Sequence, residues 1–432
     1  MIMYKADHLK HLILNGSFDG DFIYLYQEEP EKQKTRYCAE IDRFVALFGP
    51  NRDLFLFSAP GRSELSGNHT DHQHGRVLAA TVTLDTIAVV SPRPDTLVRI
   101  HSQGFHPFSS DLADLNKIEA EIGTSAALVR GIAADLTRLG YAICGFDACI
   151  TSSIPAGSGL SSSAAFETLI GTIWNHLCNQ ARIPPLQIAQ TGWFAENVYF
   201  GKPCGLMDQT ASAVGNIVTM DFADPDRPFV EQINCNFSVM GYTLYVVDAG
   251  RSHADLTDEY AAIPREMGEV AAYFGKKVLR DVDPQLFQVS LPALREKVSD
   301  RAILRAMHFF AENQRVGLQT DALRQQDITE YLILMQASGD SSAMKLQNIY
   351  PLDNILDRSI PLALAICRQH LVGRGAWRVH GGGFAGTVQA LVPNDLTCRF
   401  ESAIEAVFGQ GSCIRLVVRP AGGVILKADS EE

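Results

Sequence analysis

The chain has 432 residues, with 37 basic and 49 acidic side chains, a formal net charge of −12 and 46% hydrophobic residues. This is the composition of an ordinary globular protein with enough apolar material for a sizeable core. The acidic balance excludes a non-specific nucleic-acid binder, which needs a basic surface to displace counterions. It does not exclude a phosphate ligand, because backbone amides hold phosphate without net positive charge.

The sequence has no feature of a secreted or membrane protein. The first twenty residues lack the uninterrupted apolar region and the small-residue cleavage site of a signal peptide. The longest apolar stretch, residues 77–90, is interrupted by Asp85 and is too short to cross a bilayer. The nine cysteines are scattered without paired or zinc-like spacing. We therefore predict a cytoplasmic protein that has neither nucleic acid nor membrane as a partner.

The first predicted elements are an N-terminal helical segment and a group of strands. Residues 1–36 are polar and helix-prone, and we interpret them as a leader to the first compact domain. From residue 54 onward Val, Ile, Thr and Phe cluster in short runs, which favours strands. The predicted strands in this part of the chain are 54–58, 77–84, 86–91, 97–101 and 146–151.

Helical patterning begins at Ser161. Ala165, Leu169 and Ile173 recur every four residues and form one apolar face, and a second helix is predicted over 186–200. Further along the chain we predict strands at 217–222, 243–247, 387–392 and 414–419 and helices at 300–314, 327–337, 361–369 and 401–408.

This order of elements predicts an α+β protein of two lobes. The turn-rich segment 224–228 is the most plausible boundary between them. The predicted organisation is a leader of residues 1–36, an N-terminal lobe of residues 37–225 and a C-terminal lobe of residues 226–432.

The strongest local signal is the run Ile-Pro-Ala-Gly-Ser-Gly-Leu-Ser-Ser-Ser-Ala-Ala at residues 154–165. It follows a predicted strand and opens a predicted helix, so that unpaired amides and hydroxyls lie at a helix N-terminus, where the dipole favours phosphate. The Gly-Lys-Ser/Thr ending of a Walker A loop is missing. A serine-capped helix start without a ligand is the alternative interpretation.

A dense polar segment occupies residues 59–75. Arg62 offers a planar fork for a carboxylate or a phosphate, and Asn68 and Asp71 can bond hydroxyl groups. His69, with two further histidines in the next five residues, suggests a metal, but a loop has no reliable ligand geometry. A solvated turn is the alternative interpretation.

Two carboxylates and a second glycine run complete the set. Glu196 and Asp208 flank the Gly/Pro turn at 201–205 and can converge on one pocket, where one holds Mg²⁺ and the other accepts a proton. Ordinary surface carboxylates are the alternative. The run His-Gly-Gly-Gly-Phe-Ala-Gly at residues 380–386 brings a backbone against a nucleotide or forms a simple turn.

Together and in this order, these segments resemble the signature motifs of the GHMP small-molecule kinases, and within that superfamily the galactokinase family. The first motif corresponds to residues 61–72, the second to 155–164, the Gly-Ile-Met-Asp-Gln segment to 205–209 and the third motif to 381–386. The resemblance extends from about residue 44 to the end of the chain.

The resemblance implies a two-lobed fold with a ferredoxin-like C-terminal lobe and the transfer of the γ-phosphoryl group of MgATP to the anomeric hydroxyl of a sugar. Asp208 would be the catalytic base and Arg62 the cation beside it. The implied sugar contacts are Asn68, His69, Asp71 and Tyr260. The implied ATP-binding residues are Gly157, Ser158, Gly159, Leu160, Ser161, Ser162 and Ser163, and the implied Mg²⁺ ligands are Ser163 and Glu196.

The first motif departs from the family pattern at four positions. Asn68 replaces a Glu that contacts a sugar hydroxyl, Glu64 replaces an Asn, Ser66 an Ile and His72 a Tyr. An amide both donates and accepts and carries no charge. Asn68 therefore either bonds the same sugar hydroxyl as the Glu of the family pattern or fits an altered substituent at that end of the sugar.

These departures leave the substrate open. Galactose is the leading expectation, followed by N-acetylgalactosamine or arabinose. A kinase for mevalonate or homoserine is disfavoured by the Met-Asp-Gln segment, and a catalytically inactive sugar sensor is disfavoured by the intact serine-rich helix start and the intact base.

Overall fold

A computed structural model describes residues 3–155, 157–250, 256–351, 356–384 and 386–429. Ala156 of the second motif and Ala385 of the third lie outside the described residues.

The N-terminal lobe is built on an eight-stranded mixed sheet. Its central order is β12-β1-β2-β5-β3-β4, and β6 pairs with β2 and β7. Only the β3–β5 pair is parallel among the pairings in the described part of this sheet. The strands are β1 (Phe55–Ser66), β2 (Arg76–Pro92), β3 (Leu97–Ser102), β4 (Phe108–Asp111), β5 (Phe146–Ser152), β6 (Ile217–Asp221), β7 (Phe229–Ile233) and β12 (Val424–Ile425).

β2 is one continuous strand, whereas the sequence predicted two strands separated at Asp85. Its first half pairs with β6 and its second half with β5. Asp85 remains within the strand because its buried carboxylate accepts hydrogen bonds from Arg36, Ser58 and Tyr26. Tertiary partners thus override the breaking tendency that an isolated Asp has in a strand.

Helices cover both faces of this sheet. One face packs against α1 (Ala6–Leu14), α2 (Asp19–Tyr26) and α3 (Glu31–Phe48), so residues 3–36 contribute to the core, and the predicted boundary at residue 36 falls within α3. The other face packs against α4 (Ser125–Arg138), α5 (Ser162–Cys178) and α6 (Pro185–Phe194), and α7 (Met207–Val214) packs on α5 and α6. The predicted helix over 186–200 is α6 followed by a π-helical turn, Ala195–Phe200.

The C-terminal lobe has a four-stranded antiparallel sheet in the order β11-β8-β10-β9. Its strands are β8 (Tyr242–Asp248), β9 (Ala376–Val379), β10 (Thr387–Pro393) and β11 (Cys413–Leu416). With helical segments between β8 and β9 and between β10 and β11, the connection is β-α-β-β-α-β, which is the ferredoxin-like arrangement that the resemblance implied.

Two layers of helices surround this second sheet. One face packs on α13 (Ser359–Leu371) and α14 (Thr397–Phe408), and the other packs on α11 (Asp300–Arg324) and α12 (Ile328–Ser341) together with N-terminal strands β1 and β2. α8 (Thr257–Tyr273), α9 (Pro284–Val289) and α10 (Leu291–Leu294) form a further cluster with α11. None of the helices in the described ranges is long and apolar enough to cross a membrane.

Candidate active site

The predicted phosphate loop lies between β5 and α5 and turns sharply before the helix. Gly157, Gly159 and Ser161 all have left-handed backbone conformations, with φ of 74°, 70° and 55°. No side chain caps the N-terminus of α5, which begins at Ser162. The amides of its first turn are therefore left for an external acceptor, and the helix dipole favours an anion there.

Asp208 and Arg62 form a bidentate ion pair although they are far apart in sequence. The Arg62 guanidinium donates from Nε and Nη2 to the two carboxylate oxygens of Asp208 at 2.7 and 2.5 Å, and from Nη1 to the carbonyl oxygen of Gly159 at 2.5 Å. The Ser161 hydroxyl donates to Asp208 at 2.9 Å. Arg62 thus joins the carboxylate directly to the phosphate loop.

The surroundings of Asp208 determine its charge. Burial raises the pKa of this carboxyl, but the charge and hydrogen bonds of Arg62 and the hydrogen bond of Ser161 outweigh it, so that the pKa lies below its usual range. The side chain remains 30% exposed. Asp208 is therefore an ionised, accessible carboxylate at neutral pH, as a proton acceptor must be.

A second carboxylate, Asp71, lies close to Asp208. It occupies a short 3₁₀ turn after β1, and burial followed by the charge of Asp208 raises its pKa. A Cβ atom on Gly205 would lie 2.0 Å from a carboxylate oxygen of Asp71, so only glycine allows this approach. Asp71 and Gly205 line a cavity of about 710 Å³.

His69 and Tyr260 line the site next to the third motif. Their rings stack with centroids 6.5 Å apart. His69 Nε2 donates to the carbonyl oxygen of Gly382 at 2.9 Å, and the Tyr260 hydroxyl donates to that of Gly383 at 3.0 Å. Burial lowers the pKa of His69 and raises that of Tyr260 to about 12. Both side chains are uncharged at neutral pH, which suits contact with a neutral ligand.

Asn68 lies at the same end but is fully buried, with 0% of its surface exposed. Its amide nitrogen donates to Glu64 at 3.1 Å and to the carbonyl oxygen of Gly381 at 2.5 Å. Its oxygen accepts a hydrogen bond from Asn348 at 2.7 Å. The polar atoms of this side chain thus all have protein partners, and the residue joins the first motif to the C-terminal lobe.

Glu64 is a site residue whose role the sequence did not reveal. It accepts a 2.7 Å hydrogen bond from Arg378, which is completely buried. Burial raises the pKa of Glu64, and the charge of Arg378 opposes that rise. The first motif was expected to be a loop, but β1 continues through Ser66 and contains both Arg62 and Glu64. A bulge between Glu64 and Ser66 interrupts the pairing with β2, and the polar run at residues 62–64 has no apolar–polar alternation that would have predicted a strand.

Glu196 and Ser163 are the two residues expected at a Mg²⁺ site. Glu196 lies on the π-helical turn and is 4% exposed, whereas Ser163 lies in the first turn of α5. Lys202 donates to one carboxylate oxygen of Glu196 at 3.1 Å. The carboxylate of Glu196 and the hydroxyl of Ser163 are oxygen donors, which is the ligand type that Mg²⁺ takes alongside nucleotide phosphates.

Within the described residues, no group of three or more His, Cys, Asp or Glu side chains is placed to hold a metal ion. The three histidines of the first motif do not assemble a site: the rings of His69 and His72 lie 5.6 Å apart, and neither ring nitrogen of His72 has a partner.

The fold and this arrangement define a small-molecule kinase of the GHMP class. Residues 127–216 match the GHMP kinases N terminal domain, and residues 42–92 match the galactokinase galactose-binding signature. The crystal structure of Lactococcus lactis galactokinase complexed with galactose superposes with a TM-score of 0.76 at 25% identity, over 90% of this chain and 99% of that one.

Curated relatives narrow the class to one family. A galactokinase of Glaesserella parasuis is 32% identical over 82% of this chain and 88% of its own length. A galactokinase of Enterococcus faecalis is 31% identical over 85% of this chain and 92% of its own length. The chain belongs to the galactokinase family. The predictions of family and fold class are thereby confirmed, whereas the roles of the individual site residues and the domain boundaries remain predictions.

Proposed function

We propose that this protein transfers the γ-phosphoryl group of ATP to the anomeric hydroxyl of galactose, giving galactose 1-phosphate and ADP. The observation that carries the proposal is the Arg62–Asp208 pair, which holds an ionised carboxylate directly beside the glycine-rich helix start. The named relatives are galactokinases, and the superposed structure holds galactose. We also propose that the enzyme is cytoplasmic, which its nine unbridged cysteines support.

In this mechanism the residues from Gly157 to Ser163 bind the phosphates through backbone amides and hydroxyl groups. Ser163 and Glu196 hold Mg²⁺, which neutralises phosphate charge when it is bound. The sugar lies against His69, Asp71 and Tyr260, with Asn68 supporting that end of the site from behind.

The proton of the sugar hydroxyl passes to Asp208. Arg62 keeps this carboxylate ionised and oriented, and its positive charge would stabilise the negative charge that develops on the transferred group. Phosphoryl transfer requires mainly positioning and charge neutralisation, and these residues supply both.

The test is an ATP-consumption assay with galactose, talose, arabinose, glucose and N-acetylgalactosamine. We expect the highest kcat/KM with galactose. A clear preference for N-acetylgalactosamine or arabinose would instead identify a related sugar kinase, and no turnover with any of the sugars would contradict the proposal.

The Asp208→Asn variant tests the base. We expect kcat to fall at least about 100-fold, because a positioned general base contributes 10²–10⁴-fold, while nucleotide binding persists. The matched control is Asp395→Asn, which removes an exposed carboxylate paired with Arg374 and should retain wild-type kcat. Turnover of the Asp208→Asn variant within threefold of wild type would rule out the assigned role.

A further inference from the structure

A buried hydrogen-bonded triad lies directly behind the proposed metal-binding carboxylate. The Gln209 amide nitrogen donates to Glu167 Oε2 at 2.9 Å and to Glu196 Oε2 at 2.8 Å. The three side chains are 1%, 0% and 4% exposed, respectively. One amide group has two hydrogens, and here each of them bonds a different carboxylate.

We propose that Glu167 and Gln209 are positioning residues that hold Glu196 in its metal-binding orientation, and that the affinity for a divalent cation with nucleotide depends on them. This inference rests on the proposed function, because Glu196 is a metal ligand only within that proposal. Neither Glu167 nor Gln209 has a role in the proposed chemistry itself.

The triad connects three separate elements of the site. Glu167 lies one helical turn after Ser163 on α5, Glu196 lies on the π-helical turn, and Gln209 directly follows Asp208 on α7. A displacement of any one element changes the position of the others. The triad thus holds α5, the π-helical turn that carries Glu196 and α7 together at a single point.

The space around the triad admits little rearrangement. A Cβ atom on Gly192 of α6 would lie 3.1 Å from both Cβ and Oε2 of Glu167 and 3.4 Å from Cγ of Gln209. The backbone of α6 therefore closes one side of the cluster. The Glu167 side chain therefore has little room to move away from Gln209, which favours the observed hydrogen bond between them.

The two oxygens of Glu196 have different surroundings. Oε2 faces inward and accepts from Gln209 and from the Cys204 thiol, the latter at 3.0 Å. Oε1 faces Lys202, whose side chain is 61% exposed. The inner oxygen is thus held by the buried amide of Gln209 and the partly buried thiol of Cys204. The outer oxygen is paired with an exposed cation that another cation can replace.

Loss of the amide would change this orientation. Without it, no group would bond Glu167 and Glu196 at the same time, and Glu196 would lose the buried donor that fixes its inner oxygen towards α5. Groups that orient a metal ligand through a hydrogen bond typically contribute 10–100-fold to metal affinity.

The experiment measures Mn²⁺ binding to the full chain by electron paramagnetic resonance, in the presence of a non-hydrolysable ATP analogue. We expect Gln209→Met and Glu167→Leu to raise the Kd for Mn²⁺ at least tenfold. Glu167→Gln keeps an acceptor oxygen for Gln209, and its Kd should stay within about threefold of wild type. The matched control is Gln319→Met, which removes a buried amide of α11 that has no hydrogen-bond partner in the described residues.

Thermal unfolding and galactose binding by calorimetry show whether each variant is folded. Glu167→Leu replaces a buried acid with an apolar side chain, so it provides a second folded variant if Gln209→Met does not fold. Wild-type Mn²⁺ affinity in the folded Gln209→Met or Glu167→Leu variant, or an equal loss in Gln319→Met, would overturn the inference. A wild-type protein that binds Mn²⁺ with nucleotide but phosphorylates no sugar would contradict only the proposed function.

Discussion

At the scale of single residues, Arg62 sets the charge state of Asp208. If lysine replaces it, a single ammonium cannot bond both carboxylate oxygens. We expect Arg62→Lys to lower kcat at least about tenfold and to shift the acid limb of the kcat–pH profile upward by half a unit or more, since the lowered pKa of Asp208 then rises. Arg374→Lys, at an exposed ion pair, is the control. An acid limb at the wild-type pH would show that Arg62 does not lower the pKa of Asp208.

Glu64 and Asn68 depart from the family pattern as a pair, and they contact each other at 3.1 Å. Asn68→Glu alone would place two carboxylates together, whereas Glu64→Asn alone would deprive the buried Arg378 of its partner. We expect each single variant to lose at least about 2 kcal/mol of unfolding free energy. The double exchange should lose at least about 1 kcal/mol less than the sum of the single losses. Additive losses, measured by urea unfolding, would contradict this coupling.

At the scale of elements, the N-terminal helices are fastened to the sheet by a buried ion cluster. Asp85 of β2 accepts from Arg36 of α3 at 2.5 Å and from Arg419 at 3.2 Å, and the carboxylate is 0% exposed. Burial raises the pKa of Asp85, but the two arginines outweigh it and the pKa is lowered. Strand and helix are thus held together by a charge that water does not screen.

We expect Asp85→Asn to lower the free energy of unfolding by about 3 kcal/mol, because it leaves the buried guanidinium of Arg419 and the partly buried one of Arg36 without a counter-charge. Urea unfolding measures the loss. Asp395→Asn, at an exposed pair, should cost less than about 1 kcal/mol. Equal losses of unfolding free energy in Asp85→Asn and Asp395→Asn would show that the ion cluster around Asp85 does not anchor α3.

At the scale of the whole molecule, His308 links the lobes. Its Nε2 donates to the carbonyl oxygen of Asn68 at 2.9 Å, and its Nδ1 accepts from the Ser341 hydroxyl at 2.9 Å. Burial lowers its pKa to about 4. The folded protein therefore keeps this ring neutral at a pH where the unfolded chain binds a proton, so stability falls as the pH drops below about 6.5.

The measurement is the free energy of unfolding at pH 7 and at pH 5. We expect protonation of His308 to lower the free energy of unfolding by about 2 kcal/mol between pH 7 and pH 5. The His308→Gln variant should lose about 2 kcal/mol less than wild type over the same pH change. The exposed His106 provides the control, since His106→Gln should keep the full wild-type fall. A His308→Gln protein with the wild-type fall would show that the lobe contact does not titrate in this way.

Part of the site could be predicted from the sequence because its signals are local. The glycine and serine residues at 157–163 form the expected turn and helix start, since left-handed conformations and an uncapped first turn depend on neighbouring residues. Glu167 was missed because a buried Glu on a helix has the same local pattern as an exposed one. Its contact with Gln209 joins residues 42 positions apart.

The sequence by itself determined the family, the glycine-rich phosphate loop and most of the strands, because motif order and hydrophobic periodicity lie along the chain. It predicted fewer of the helices: α4, α7 and α8 were among those not predicted. The tertiary structure decided which side chains meet: Arg62 with Asp208, 146 positions apart, and Asn68 with the C-terminal lobe. The tertiary structure also buries Asp85 and Asn68, so that both side chains form hydrogen bonds with other groups of the protein. Those outcomes depend on which distant groups share a low-dielectric interior, and no local pattern contains that information.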